Sequence, residues 1–115
     1  IELLGFLDGV SKIKVFKSSR IVIHPATYDS GGMAAIEAMA AGLPGISFDL
    51  EALKTYYPQG MIKTPCYDLD KFAVNIIKLL DNKPFYLKLK KEALNLAAQW
   101  DWDKKAKFLS KKLIN

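Results

Sequence analysis

The feature that most constrains this chain is the regular exchange of short β-prone runs and helical stretches over its first 65 residues, with short connections between them. Glu2-Leu3-Leu4-Gly5-Phe6-Leu7 reads as a strand ending in a loop at Asp8-Gly9, and Val10, Ile13 and Phe16 then recur at helical spacing over residues 10–18. Arg20-Ile21-Val22-Ile23-His24 is the clearest strand, and Pro25, which has no amide hydrogen to give to a ladder, stops it. After a loop over residues 26–31, residues 33–41 are mostly strong helix formers, and Gly42 stands where a left-handed C-terminal cap belongs. Pro44 to Asp49 is a short apolar strand, Glu51 to Tyr57 a short helix or turn, and Gly60 to Lys63 another strand before Thr64-Pro65.

Such alternation predicts an α/β fold with a largely parallel sheet of about four short strands covered by helices, as in Rossmann-like domains. Past Pro65 the pattern turns helical. One helix runs from Tyr67-Asp68 to Asn82 with Phe72, Ile76, Leu79 and Leu80 on one face, Pro84 opens a second that reaches Gln99, and Asp101 or Asp103 caps a third. The chain thus divides into a β/α part, residues 1–65, and a helical part, residues 66–115.

Half of the 115 residues are apolar and a quarter are charged, enough to bury a core and unlike disordered, collagenous or disulfide-rich chains. The single cysteine, Cys66, has no internal partner, no apolar run approaches the ~18 residues of a membrane span, and the N-terminus lacks signal-peptide order. A cytoplasmic location is expected. The net charge of +5 is unevenly placed: residues 1–82 carry 8 basic and 9 acidic side chains, residues 83–115 carry 9 basic and 3 acidic. All but one of the 17 cations are lysines, whereas arginine is suited to bidentate phosphate and guanine contacts, which argues against a nucleic-acid partner. The lysine-rich face reads most simply as a solvated helical surface, with anionic lipid headgroups or nucleic acid as its functional readings.

Chemistry concentrates in residues 25–44, which pass from a strand end through a glycine-bearing loop into a helix. The first amides of that helix have no intrahelical partners and the macrodipole adds positive charge, so the Gly31-Gly32-Met33 turn can receive an anion such as a diphosphate. An ordinary loop is the other reading, because the glycine spacing is not a dinucleotide fingerprint. Asp29 precedes the turn, and Glu37 lies one helical turn beyond Met33 on a helix apolar enough to be buried nearly all round. Glu37 is open to two readings: it accepts the hydroxyls of a ribose diol, or it reaches solvent and pairs with a lysine at the helix edge. His24 is placed at a strand end to contact a ligand, or it closes a hydrogen bond within the loop; as the single histidine it offers no metal or triad constellation. Ser30 lacks a nucleophile-elbow spacing, and Tyr56, Tyr57, Trp100 and Trp102 read as packing residues.

The same stretch resembles the donor-site signature of retaining GT-B glycosyltransferases of the glycosyl transferases group 1 type, Pro-Ser-x-x-Glu-Gly-Phe-Gly-x-x-x-x-Glu-Ala-Met-Ala-x-Gly-x-Pro. Pro25, Gly32, Glu37, Ala38, Met39, Ala40, Gly42 and Pro44 fall in register, and Asp29 takes the place of the first of the two acidic residues that seven others separate. Leu4-Gly5-Phe6-Leu7, Lys14-Val15-Phe16-Lys17-Ser18-Ser19 and Trp102-Asp103-Lys104-Lys105-Ala106 resemble flanking segments of the family. Departures are Ala26, Ser30, Gly31 and Gly45 in place of Ser, Gly, Phe and Val, and Leu50-Glu51-Ala52 where a Gly-Gly turn and a carboxylate are common.

The resemblance implies a nucleotide-diphosphate sugar as substrate, no cofactor and no metal. It implies that Asp29 is the catalytic residue facing the transferred sugar, that amides around Gly32, Met33 and Ala34 contact the diphosphate, that Ser30 and Gly31 belong with them to the donor-binding set, and that Glu37 holds the ribose. It further implies that residues 1–115 are the C-terminal portion of a donor-binding domain. The N-terminal acceptor domain, the first donor-domain strands and their Arg and Lys then lie outside the chain, which alone would not transfer sugar. In the strand order 3-2-1-4-5-6, the strand at residues 2–7 would lack neighbours, inviting self-association or another chain at that edge. The expected location is cytoplasmic, peripheral to the inner face of the membrane. A noncatalytic nucleotide or sugar-phosphate binding module, and a basic protein that binds nucleic acid or a membrane surface, are the alternatives.

Overall fold

The computed structural model describes residues 1–29 and 31–114. Along the chain these form α1 (Gly9–Ser18), β1 (Val22–His24), α2 (Met33–Ala40), β2 (Gly45–Phe48), α3 (Glu51–Tyr56), β3 (Met61–Thr64), α4 (Leu69–Asp81), α5 (Lys83–Ala98) and α6 (Trp102–Ile114). The strands make a 3-stranded parallel sheet in the order β1-β2-β3, with Val22, Gly45 and Met61 in one row and His24, Ser47 and Lys63 in another. The α/β architecture of a partial Rossmann-like domain is as the sequence pattern predicts. Because all three strands run the same way, their C-terminal ends share one edge of the sheet, the edge at which open α/β sheets bind ligands.

Local signals account for most boundaries. Every residue of the central strand β2 is buried, Ser47 included, as expected of a strand covered on both faces. The Asp68 carboxylate accepts the Lys71 amide at 3.0 Å to open α4, and the Asn82 side chain accepts the Phe85 amide at 3.1 Å to open α5. Of the two aspartates named for the last cap it is Asp101 that acts, accepting the amides of Asp103 at 2.9 Å and Lys104 at 3.2 Å. At the end of α2 the Leu43 amide returns to the Ala38 carbonyl at 3.1 Å through Gly42, the predicted left-handed cap.

The core has two lobes, one on each face of the sheet. Ala35, Ile36 and Met39 of α2 meet Leu53, Tyr57 and Met61, with Ala93 and Leu96 of α5 closing the lobe. On the other face Ile46 and Phe48 pack with Phe72 and Leu79 of α4 and Leu89 of α5, the Phe48 and Phe72 rings lying 5.0 Å apart. Helix α5 therefore reaches both lobes and ties the helical part to the sheet.

Four expectations need correction. Residues 2–7 are not a strand: among the described residues β1 pairs with β2 alone and this segment joins no ladder, and Leu3 and Phe6 are exposed. The sheet accordingly has three strands, not about four. Helix α2 is not buried all round, for Met33, Ala34, Glu37 and Ala40 line an exposed stripe. Trp102 is 78% exposed, unlike Tyr57, which is fully buried and stacked on Trp100 with ring centroids 6.1 Å apart.

Candidate functional site

The site begins where β1 ends. His24 leaves the sheet edge, Pro25 breaks the ladder, and the chain loops back to enter α2 through Gly32, whose φ of +59° is left-handed. A Cβ on Gly32 would stand 2.9 Å from Tyr57 Cε2 and 3.1 Å from Leu53 Cδ2, so both the turn and its packing call for glycine.

Asp29 organises this turn. Its Oδ1 accepts the amides of Gly31 at 3.0 Å and Gly32 at 2.7 Å, and its Oδ2 accepts a hydrogen bond from His24 Nε2 at 2.7 Å, with both side chains only 18% exposed. The Gly31 amide and then His24, aided by the Gly32 amide, hold the carboxyl below its ordinary value against the opposing effect of burial. Of the two readings of His24, the loop hydrogen bond is the one observed.

A depressed carboxyl pKa means that Asp29 contributes its stabilisation above the unfolded value and loses it as pH falls through the folded one. Asp29→Ala should therefore cost about 1 kcal/mol near neutral pH. The difference from the parent should shrink below about pH 4. Urea denaturation of both chains at pH 7 and pH 3 measures this.

Tyr57 supports the turn from beneath, and nothing in the sequence marked it for that task. Its hydroxyl donates to the backbone carbonyls of the turn, at 2.7 Å to Gly32 and to Gly31 beside it, residues 25 and 26 positions away. Burial first, then the negative charge of Asp29 and neighbouring Tyr56, push the Tyr57 hydroxyl up to about 12, which keeps its proton on the donor. The Lys63 ammonium donates to the Tyr57 carbonyl, and burial lowers the Lys63 pKa while Asp49 opposes the shift. Trp100, Tyr57, the glycine turn, Asp29 and His24 form one connected support across residues far apart in sequence.

Of the amides named from sequence, those of Gly31 and Gly32 are thus taken by Asp29. Those of Met33 and Ala34, at the start of α2, have no acceptor among the described residues. Ser30 lies outside the described residues. Glu37 sits one turn further along, 42% exposed, with Oε2 2.9 Å from Lys12 Nζ of α1; the reading in which it pairs with a lysine at the helix edge is the one seen. A groove of about 370 Å³ runs between α1 and α2, lined by Glu37, Lys12, Lys17, Ile13, Phe16 and Ala40 among others. A larger open groove of about 630 Å³ lies apart, where α4 meets α5. No three His, Cys, Asp or Glu side chains converge on a point among the described residues.

Comparison with known proteins bears on the same stretch. A family model described as glycosyl transferases group 1 matches residues 1–96. An uncharacterized glycosyltransferase of Methanocaldococcus jannaschii is 43% identical over 44 residues, which are 38% of this chain and 11% of that protein, so the alignment spans a small part of the relative's length. With the glycine turn, the α2 entry and the parallel sheet all inside the matched residues, the chain belongs to the glycosyl transferases group 1 family.

Proposed function

We propose that residues 1–115 form the C-terminal portion of the donor-binding domain of a retaining GT-B glycosyltransferase, which moves a sugar from a nucleotide diphosphate to an acceptor. Residues 1–65 are its β/α part and residues 66–115 its helical part. The observation that carries this reading is the start of α2: amides of Met33 and Ala34 with no acceptor among the described residues, at the C-terminal edge of a parallel sheet, with the Glu37 carboxylate one turn further on.

The diphosphate binds at Met33 and Ala34, where helix-terminal amides and the macrodipole stabilise both the bound anion and the charge that grows on it as the sugar departs. Glu37 accepts the ribose hydroxyls, its surface pairing with Lys12 being weak enough to yield. Asp29, fixed through both oxygens and held ionised, faces the transferred sugar and positions it, while Gly31 and Gly32 shape the turn. The acceptor domain and the cations that offset the diphosphate come from the rest of the polypeptide, so the 115 residues alone bind donor without transferring sugar. The protein works in the cytoplasm.

Titration calorimetry with UDP, GDP and ADP tests the reading. One of the three should bind saturably to the chain, and Glu37→Ala should weaken it about tenfold, roughly 1.4 kcal/mol. Because an exposed ion pair contributes little, the same variant should leave thermal stability within about 0.5 kcal/mol of the parent. No saturable binding by any of the three nucleotides would overturn the reading.

A further inference from the structure

We propose that Tyr57 is a positioning residue of the donor site, whose buried hydroxyl sets the direction in which the peptide units of the glycine turn face and so aims the Met33 amide at the diphosphate. The inference rests on the donor reading above and adds to it a residue that touches neither nucleotide nor sugar. A trans peptide unit, as both units concerned are, is planar, and its C=O and the following N–H point in opposite directions, so a donor that holds the oxygen also sets the hydrogen. Tyr57 donates to the oxygens of two consecutive units, to Gly31 O and to Gly32 O at 2.7 Å. Held in this way, the first unit turns the Gly32 N–H toward Asp29 Oδ1, which receives it at 2.7 Å. The second turns the Met33 N–H away from Tyr57, to where no acceptor stands among the described residues. One hydroxyl thereby divides the amides of the turn into one that fixes Asp29 and one presented to an anion.

The hold matters most at the first of these units. Gly32 O has further partners, for it accepts the Ala35 and Ile36 amides at 3.0 and 3.3 Å as α2 begins. Gly31 O has no donor besides Tyr57 among the described residues, and with glycine on both sides the unit has the widest choice of orientation in the turn. Tyr57 itself is held from three directions. Its amide donates to the Leu53 carbonyl at 2.9 Å, its carbonyl accepts the Lys63 ammonium, and its ring stacks on Trp100. A phenylalanine would fill the same space in the lobe, so the hydroxyl is the part of the side chain that packing does not require.

Tyr57→Phe, which removes the hydroxyl and keeps the ring, tests the inference beside Thr64→Val in the 115-residue chain. Thr64 is fully buried in register with Phe48, which packs in the other lobe, and its Oγ1 accepts the Asn75 side-chain amide at 2.9 Å, so Thr64→Val removes one hydrogen bond outside the turn. Each variant should melt about 4 to 8 °C below the parent, the loss of one such bond in a domain of this size. Calorimetry with UDP, GDP and ADP should show affinity about fivefold or more weaker in Tyr57→Phe and within about twofold of the parent in Thr64→Val. A second readout requires no nucleotide: followed by NMR, the Asp29 carboxyl should titrate closer to the ordinary aspartate value in Tyr57→Phe than in the parent, because the amides that stabilise its charge are no longer aimed at it. If the parent binds none of the three nucleotides, the donor reading falls and this proposal with it. Parental binding with unchanged affinity in Tyr57→Phe overturns the proposal alone, as does an equal loss of affinity in Thr64→Val or an Asp29 titration that Tyr57→Phe leaves unmoved.

Discussion

Gly60→Ala is expected to destabilise the chain by about 3 kcal/mol or more. Gly60 adopts a φ of +78°, and an added Cβ would stand 2.7 Å from both the backbone nitrogen and the Cα of Ala93. That obstacle is the backbone of α5, not the end of a movable side chain, so relief requires the helix to shift. Any such shift is felt in both lobes of the core. It would also disturb the Gly60 amide bond to Glu92 Oε2 at 3.1 Å and the Gly45 amide bond to the Gly60 carbonyl at 3.2 Å, which set the start of β3 beside β2. For a domain of this size a melting temperature lower by about 10 °C or more follows, measurable by circular dichroism. A melting temperature within a degree or two of the parent would show that α5 does not press on the strand end as described.

Gly32→Ala is the second large effect, and it joins stability to binding. The left-handed conformation opposes any Cβ, and the neighbours are Tyr57 Cε2 at 2.9 Å and Leu53 Cδ2 at 3.1 Å, two fully buried side chains. Trp100 stacks on the Tyr57 ring and limits its retreat. A loss of about 2 kcal/mol in stability is expected, and nucleotide affinity should fall by at least about tenfold, because the turn that aims Met33 and Ala34 would be displaced. Gly31→Ala is the matched control: its Cβ meets nothing within 4 Å, so its stability should stay within about 0.5 kcal/mol of the parent. Equal behaviour of the two variants would contradict the geometry of the turn.

The legible parts of this structure were those set by local chemistry. Pro25, Asp68 and Pro84 announced boundaries near where they fall, and Asp101 was one of two residues named for the last cap, because capping and chain-stopping depend on the nearest few residues. The alternation of strands and helices announced the parallel sheet for the same reason. Residues 2–7 misled: a β-prone sequence becomes a strand only when another backbone completes its ladder, which composition does not reveal. Glu37 misled in part, since an apolar helix suggested all-round burial, whereas Lys12 on α1 meets the carboxylate on an exposed stripe. Asp29 and His24 were both named as candidates, yet their mutual hydrogen bond and the capture of the Gly31 and Gly32 amides belong to the folded turn. Tyr57 was passed over as a packing residue because its acceptors lie 25 and 26 residues away, a separation that no periodic pattern encodes.

The central claim, that the start of α2 is a nucleotide-diphosphate site, is tested most directly by following backbone amide resonances of the 115-residue chain as UDP, GDP or ADP is added. The account predicts saturable shifts led by Met33 and Ala34, extending to Gly31, Gly32 and Glu37, and needing at least about tenfold more nucleotide in Gly32→Ala. Shifts confined to the lysines of α5 and α6, or no saturable shift at Met33 and Ala34 with any of the three nucleotides, would contradict it.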